Sequence, residues 1–246
     1  MNIRNLVGMF LLSGSLFASQ LVELAGDRNY PPYSYVENGK EKGVYVDIIK
    51  KAFSKIEGYD IKFNMMAYKR AINMTKQGKI IGFFPPYYGK ERTNWTKFSE
   101  PILAETTIVF AKESFLKNKK IYPEDFYGTT VCLNRGFNQL LLGGEKFTKA
   151  IKDKKLNLIE GNDNKACLNR VVRGVADFYI NDQLIDTSMF PSIVKGMKVK
   201  DNFAHIGFTL KVDKYSYIKD LETKLNKTIK EMKKSGQIDE ILNKYR

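Results

Sequence analysis

The chain has 246 residues, is 43% hydrophobic and 28% charged, and carries 41 Lys and Arg against 27 Asp and Glu, a formal charge of +14. That length buries a sizeable core without disulfide or metal staples, and low-complexity and repeat architectures are excluded because no biased tract or fixed period is present. His205 is the single histidine and Cys132 and Cys167 are the only cysteines, too few soft ligands for a structural zinc site, so no metal or other cofactor is expected.

Residues 1–18 read as a cleaved leader. Arg4 precedes an uncharged apolar run over 6–17, and Ala18 and Ser19 are small, the pattern of a secretory signal. The run is too short to span a bilayer comfortably, and no Cys follows it for lipid attachment. The expectation is a periplasmic, unanchored mature chain starting near Ser19 or Gln20.

Strand and helix patterns then alternate. Residues 22–25 predict a strand, followed by a turn with Pro31 and Pro32. Gly43 precedes a helix with Ile48, Ile49, Ala52, Phe53 and Ile56 on one face. A strand at 59–66, a helix at 68–77, a short strand at 80–84 stopped by Pro85 and Pro86, and a strand at 106–111 complete a first α/β unit. After a polar break at 117–123 the rhythm restarts: strand 129–133, a helix opened by Gly136 through 142, strand 156–160, helix 164–173, and strand 176–181 ending at Asp182. Residues 203–212 are again strand-like. A long amphipathic helix follows, with Ile218, Leu221, Leu225, Ile229 and Met232 at helical spacing, and Gly236 separates it from a last short helix.

The lysines are scattered over these elements in short clusters, which reads as a solvated surface rather than a nucleic-acid or membrane footprint. Cys132 falls on the first strand of the second unit and Cys167 on the helix after its next strand. Neighbouring elements bring such residues within bonding range in an oxidising compartment; two buried free thiols are the alternative, and the residues leave both open.

Six segments in register carry a family resemblance. They are Tyr30-Pro31-Pro32-Tyr33-Ser34-Tyr35; Gly43-Val44-Tyr45-Val46-Asp47; Glu91-Arg92 with Phe98-Ser99-Glu100-Pro101; Glu124-Asp125-Phe126-Tyr127-Gly128; Gly174-Val175-Ala176-Asp177 with Asp182; and Ser235-Gly236. Over essentially the whole mature chain this resembles the family 3 extracellular solute-binding proteins, the polar amino-acid binders of ABC uptake systems. The resemblance implies a two-lobed α/β fold of the type II periplasmic-binding-protein kind. Two crossover hinge strands, at 106–112 and roughly 203–211, would join a lobe of 19–110 plus 206–246 to a lobe of 111–205. It implies a monomer that closes on a small polar ligand, an amino acid or related carboxylate, for a membrane permease, without catalysis.

The resemblance also assigns the cleft. Arg92 would take a carboxylate through its planar fork, and Asp182 an ammonium; helix capping at Gln183 is the structural alternative for Asp182. Tyr30 and Tyr68 would lie against the ligand, with Tyr87 on the cleft wall. After Gly136, the amides of Phe137 and Asn138 would face an anion. Arg70 and Arg135 would add positive charge nearby. The chain departs from the family where small hydroxyl residues are usual: Gly89 and Tyr87 stand there, and Pro85 and Pro86 remove two backbone donors. Two other classes share the fold: a periplasmic dehydratase or lyase, and a ligand-presenting sensory partner of a membrane receptor.

Overall fold

The structure is a computed structural model and describes residues 19–245; the expected leader lies outside the described residues. Two five-stranded sheets dominate. The first runs β5 (Tyr59–Met66), β1 (Gln20–Asp27), β6 (Gly82–Phe84), β13 (Gly207–Thr209), β7 (Thr96–Phe98). The second runs β10 (Asn157–Gly161), β9 (Thr130–Asn134), β11 (Phe178–Asp182), β8 (Leu103–Lys112), β12 (Ile193–Ala204). A small meander of β2 (Asn29–Tyr30), β3 (Ser34–Glu37) and β4 (Lys40–Lys42) follows β1.

Helices cover the sheets as their apolar faces require. In α1 (Val44–Phe53) seven of ten residues are buried; the helix rests on β5 and on α6 (Ile218–Lys234) and α7 (Gln237–Leu242). Ile218, Leu221, Leu225, Ile229 and Met232 form the buried stripe of α6, at the spacing the sequence displays. The amides of Val44 and Tyr45, at the start of α1, donate to the carbonyls of Pro32 and Tyr33 at 3.0 Å, which fastens the aromatic-Pro turn to the helix. Gly43 is required there: at φ 118° any Cβ would lie 2.3 Å from the Tyr33 carbonyl oxygen. On the same lobe, α2 (Tyr68–Lys76) lies against β1 and β6. The second sheet carries α3 (Glu113–Leu116), α4 (Gln139–Lys152) and α5 (Asn164–Val172).

Two adjacent strands join the lobes. β8 and β12 pair antiparallel along their length, and β11 pairs with β8 only from Thr107 to Ala111. Leu103–Thr106 and Asp201–Ala204 are therefore a free two-stranded ribbon between the sheets. The second crossover lies upstream of its sequence-based position: residues 203–211 hold only the end of β12 and the short β13. β12 escaped sequence reading because it is a Lys-rich outer strand. Lys195, Lys198 and Lys200 interrupt its apolar residues, and few of its side chains are buried.

Cys132 on β9 and Cys167 on α5 form a disulfide, with Cα atoms 5.5 Å apart. This decides between the two alternatives in favour of the pair.

Candidate functional site

The carboxyl ends of β1 and β6 and the start of α4 converge on a cavity between the lobes. One lobe contributes Asp27, Tyr30, Tyr68, Pro85, Tyr87 and Arg92; the other contributes Phe137, Asn138, Leu141 and Leu142. Ends of this kind are where open α/β sheets accept ligands.

Arg92 is placed by a short 3-10 turn, Lys90–Arg92, with its amide bonded to the Gly89 carbonyl at 2.9 Å. Its side chain is buried, at 7% exposure. The guanidinium donates to the Tyr68 hydroxyl at 3.5 Å, and no ion pair to it occurs among the described residues. The Tyr68 hydroxyl in turn donates to the Pro85 carbonyl at 3.0 Å. Burial raises the Tyr68 phenol, with Arg92 pulling the other way. A buried cation without a carboxylate is costly unless something supplies one.

Asp27 was absent from the sequence-based set. It ends β1, two residues past the expected strand boundary, and so read as belonging to a turn. Its Oδ1 accepts the Asn29 amide at 3.0 Å, the one hydrogen bond to this carboxylate among the described residues. Burial pushes its pKa up to about 6, with the nearby Asp163 adding to the rise. The signal that finds it is positional: a carboxylate at the carboxyl end of β1, which pairs in parallel with both β5 and β6.

Asp182 behaves differently from its expected role. Its Oδ2 accepts the Thr106 amide at 2.9 Å and its Oδ1 the Leu184 amide at 2.8 Å. Both oxygens are engaged by backbone, and the residue is fully buried outside the cavity lining. Burial raises it to about 7 against those two bonds. It pins the root of the interlobe ribbon at Thr106 and makes a local turn. Asp182 was expected to face the cleft; here it lies outside the lining of this cavity, and no helix starts at Gln183, although the Leu184 amide it holds is one that a capping residue would take.

The remaining candidates divide. Tyr30 and Tyr68 line the cavity. Tyr87 lines it with its ring while its hydroxyl donates to Glu105 Oε2 at 2.5 Å. Tyr45 bonds the other Glu105 oxygen, and burial holds the Glu105 carboxyl well above the usual range. Gly136 takes φ +88° and approaches Lys69, but does not line the cavity. The expected anion nest is half consumed. The Phe137 amide donates to the Asn134 carbonyl at 3.0 Å, because Gly136 turns the chain back on β9. The Asn138 amide has no partner among the described residues, and the Asn138 side chain caps α4 by accepting the Leu141 amide at 3.0 Å. Helix α4 begins at Gln139, later than Gly136 suggested. Arg70 and Arg135 are exposed and outside the lining, and Arg135 pairs with Glu160 at 3.5 Å.

Among the described residues, four side-chain bonds cross the cleft: Asn29 to Asp163 at 2.7 Å, Tyr30 to Asn181 at 2.9 Å, Asn164 to the Pro31 carbonyl at 3.0 Å, and Asn138 to Glu91 at 3.0 Å. Behind them, Asn134, Asn164, Tyr179 and Asn181 form a buried hydrogen-bonded network in the second lobe. The disulfide underlies it. Cys132 is two residues from Asn134, and Cys167 three from Asn164.

Residues 22–246 match the family model described as bacterial extracellular solute-binding proteins, family 3. The probable amino-acid-binding protein YxeM of Bacillus subtilis (strain 168) is 22% identical over 218 residues, covering 87% of this chain and 79% of that protein. Among solved structures, an ancestral arginine-binding protein bound to arginine aligns with a TM-score of 0.75 at 22% identity, over 92% of this chain and 97% of the other. The ancestral amino acid-binding protein AncCDT-1, a precursor of cyclohexadienyl dehydratase, aligns with a TM-score of 0.74 at 19% identity, over 92% and 95%. Such structures are two-lobed, and at these identities they speak to the fold alone.

Proposed function

The chain belongs to the bacterial extracellular solute-binding proteins, family 3, and from that premise we propose that it is an exported, monomeric binder that captures an amino acid between its lobes and delivers it to a membrane permease for ABC-type uptake. One observation carries the ligand class. Arg92 and Asp27 are opposite charges, both buried, not paired with each other, and both facing one cavity. An amino-acid zwitterion supplies the partner each lacks: its carboxylate for the Arg92 fork, its ammonium for Asp27. The free Asn138 amide at the start of α4 is a second donor for the carboxylate. Tyr30 and Tyr68 present their rings to the apolar portion of the ligand. The relatives named for amino-acid binding agree with this reading.

Calorimetric titration with free amino acids, their amides and their N-acetyl derivatives tests it. Binding of the free amino acid, with loss of both blocked forms, is expected. Equal binding of the amide would remove Arg92 from the role, and equal binding of the N-acetyl form would remove Asp27.

One observation favours a second reading, turnover of a small carboxylic acid. Asp27, raised to about 6, is poised for proton transfer near neutral pH, on a fold shared with a precursor of a dehydratase. Ligand recovered chemically unchanged after prolonged incubation, followed by NMR, decides for binding.

A further inference from the structure

Phe137 is the one side chain that packs, partly buried, against all three hydrophobic clusters among the described residues. Those clusters lie on both sides of the cleft, so its ring belongs to neither lobe's core alone. It projects from the second lobe onto the first. It meets Tyr30 edge-on at 5.3 Å between centroids and Tyr68 edge-on at 5.4 Å. Such contacts favour one ring orientation.

Its backbone is held as firmly. The Phe137 amide is bonded to Asn134, and Asn138 next to it caps α4. Gly136 sits at φ +88°, a conformation other residues rarely adopt, and a Cβ there would lie 3.2 Å from Lys69. The second lobe can therefore bring Phe137 close to α2. The cavity that remains beside the ring is small, and Arg92 and Asp27 face it.

We propose that Phe137 is a specificity-determining residue: its ring is the second-lobe wall that limits the ligand to amino acids with short side chains, glycine and alanine in scale. The inference rests on the amino-acid reading above. A longer side chain meets the ring, and admitting it means breaking the Tyr30 and Tyr68 contacts or holding the lobes apart.

The test is calorimetric titration of glycine, L-alanine, L-leucine and L-arginine into the full mature protein and into Phe137→Ala, Phe137→Leu and Arg92→Ala. The parent should bind glycine or alanine at least tenfold more tightly than leucine or arginine. Phe137→Ala should shrink that ratio at least tenfold, with Phe137→Leu between. Thermal melts of the unliganded variants check that each is folded, and Phe137→Leu, the milder change, decides if the alanine variant does not fold. A parent that binds arginine or leucine as tightly as alanine overturns the proposal, as does an unchanged ratio in the folded Phe137 variants. Loss of all binding in Arg92→Ala beside an unchanged Phe137 ratio discards the size limit alone. Retained binding in Arg92→Ala discards the amino-acid reading beneath it.

Discussion

The two walls of the cleft spend their polar groups in opposite ways. On the first lobe, Arg92 donates to one phenol and Asp27 accepts one amide, so buried charge is left with capacity to spare. On the second lobe, Asp182 has both oxygens engaged, and Asn134, Asn164, Tyr179 and Asn181 satisfy one another. Groups already satisfied gain little from a ligand, whereas unsatisfied ones gain most. On the binding role proposed above, recognition of ligand charge would fall mainly on the first wall, with the Asn138 amide as the second lobe's donor. The second supplies shape and a fixed surface to close with, and identical residue types carry different roles on the two sides because their hydrogen bonds differ.

The largest way to break this contrast is Arg92→Ala. Leaving a ligand carboxylate buried without its partner costs about 2–5 kcal/mol, more than tenfold in Kd by titration calorimetry. Weak dependence on Arg92 would move recognition to the other wall.

The next sharpens the view of the second wall as a rigid surface. Replacing Cys132 and Cys167 together by Ser should cost about 2–4 kcal/mol in urea unfolding, since the bridge holds β9 to α5 beneath the Asn134–Asn164 bond. Affinity should fall much less than stability. An equal fall in both would mean that the network recognises ligand directly.

Asp27 offers a test by pH. Its pKa of about 6 in the folded protein exceeds the unfolded value near 4. Its favourable contribution to stability is therefore present below about pH 4 and lost as pH rises through about 6, a swing of up to about 3 kcal/mol. Asp27→Asn should make the stability profile less steep over that range, leaving the part that Asp182 contributes. Ligand affinity should run the other way, rising from pH 5 to 7 as the carboxylate ionises, and the rise should vanish in Asp27→Asn. An affinity indifferent to pH across that range would argue against an ammonium at Asp27.

The smallest effect on binding belongs to Asp182→Asn. Loss of an acceptor for a buried amide should lower stability by about 1–3 kcal/mol, while Kd changes by less than about threefold. A severe binding defect in a stable Asp182→Asn protein would restore the role first expected of this residue.

Periodicity made most of the fold legible: the strand at 59–66 and the apolar stripe of α6 agree with the structure residue for residue. What escaped was β12, whose lysines hide its pairing, and with it the position of the second crossover. At the site, Arg92, Tyr30 and Tyr68 were readable from their segments. Asp27 and Asp182 were not, because what separates them is the number of backbone amides each carboxylate meets. Those amides belong to Asn29 in one case and to Thr106 and Leu184 in the other. The Thr106 amide comes from a strand 76 residues distant in sequence, and no local pattern announces it.

The ribbon of Leu103–Thr106 and Asp201–Ala204 gives the molecule a mechanical character. Two hydrogen-bonded strands resist stretching and sliding, since either would shear the bonds between them, but they bend readily across their common face. The second lobe is mounted as on a leaf spring, with Asp182 clamping one root at Thr106 and Tyr45 and Tyr87 gripping Glu105 one residue away. A mount of this kind favours one swing over the many independent motions that two separate tethers would allow. In the binding role proposed above, a single swing would let the four bonds across the cleft meet in register on closure.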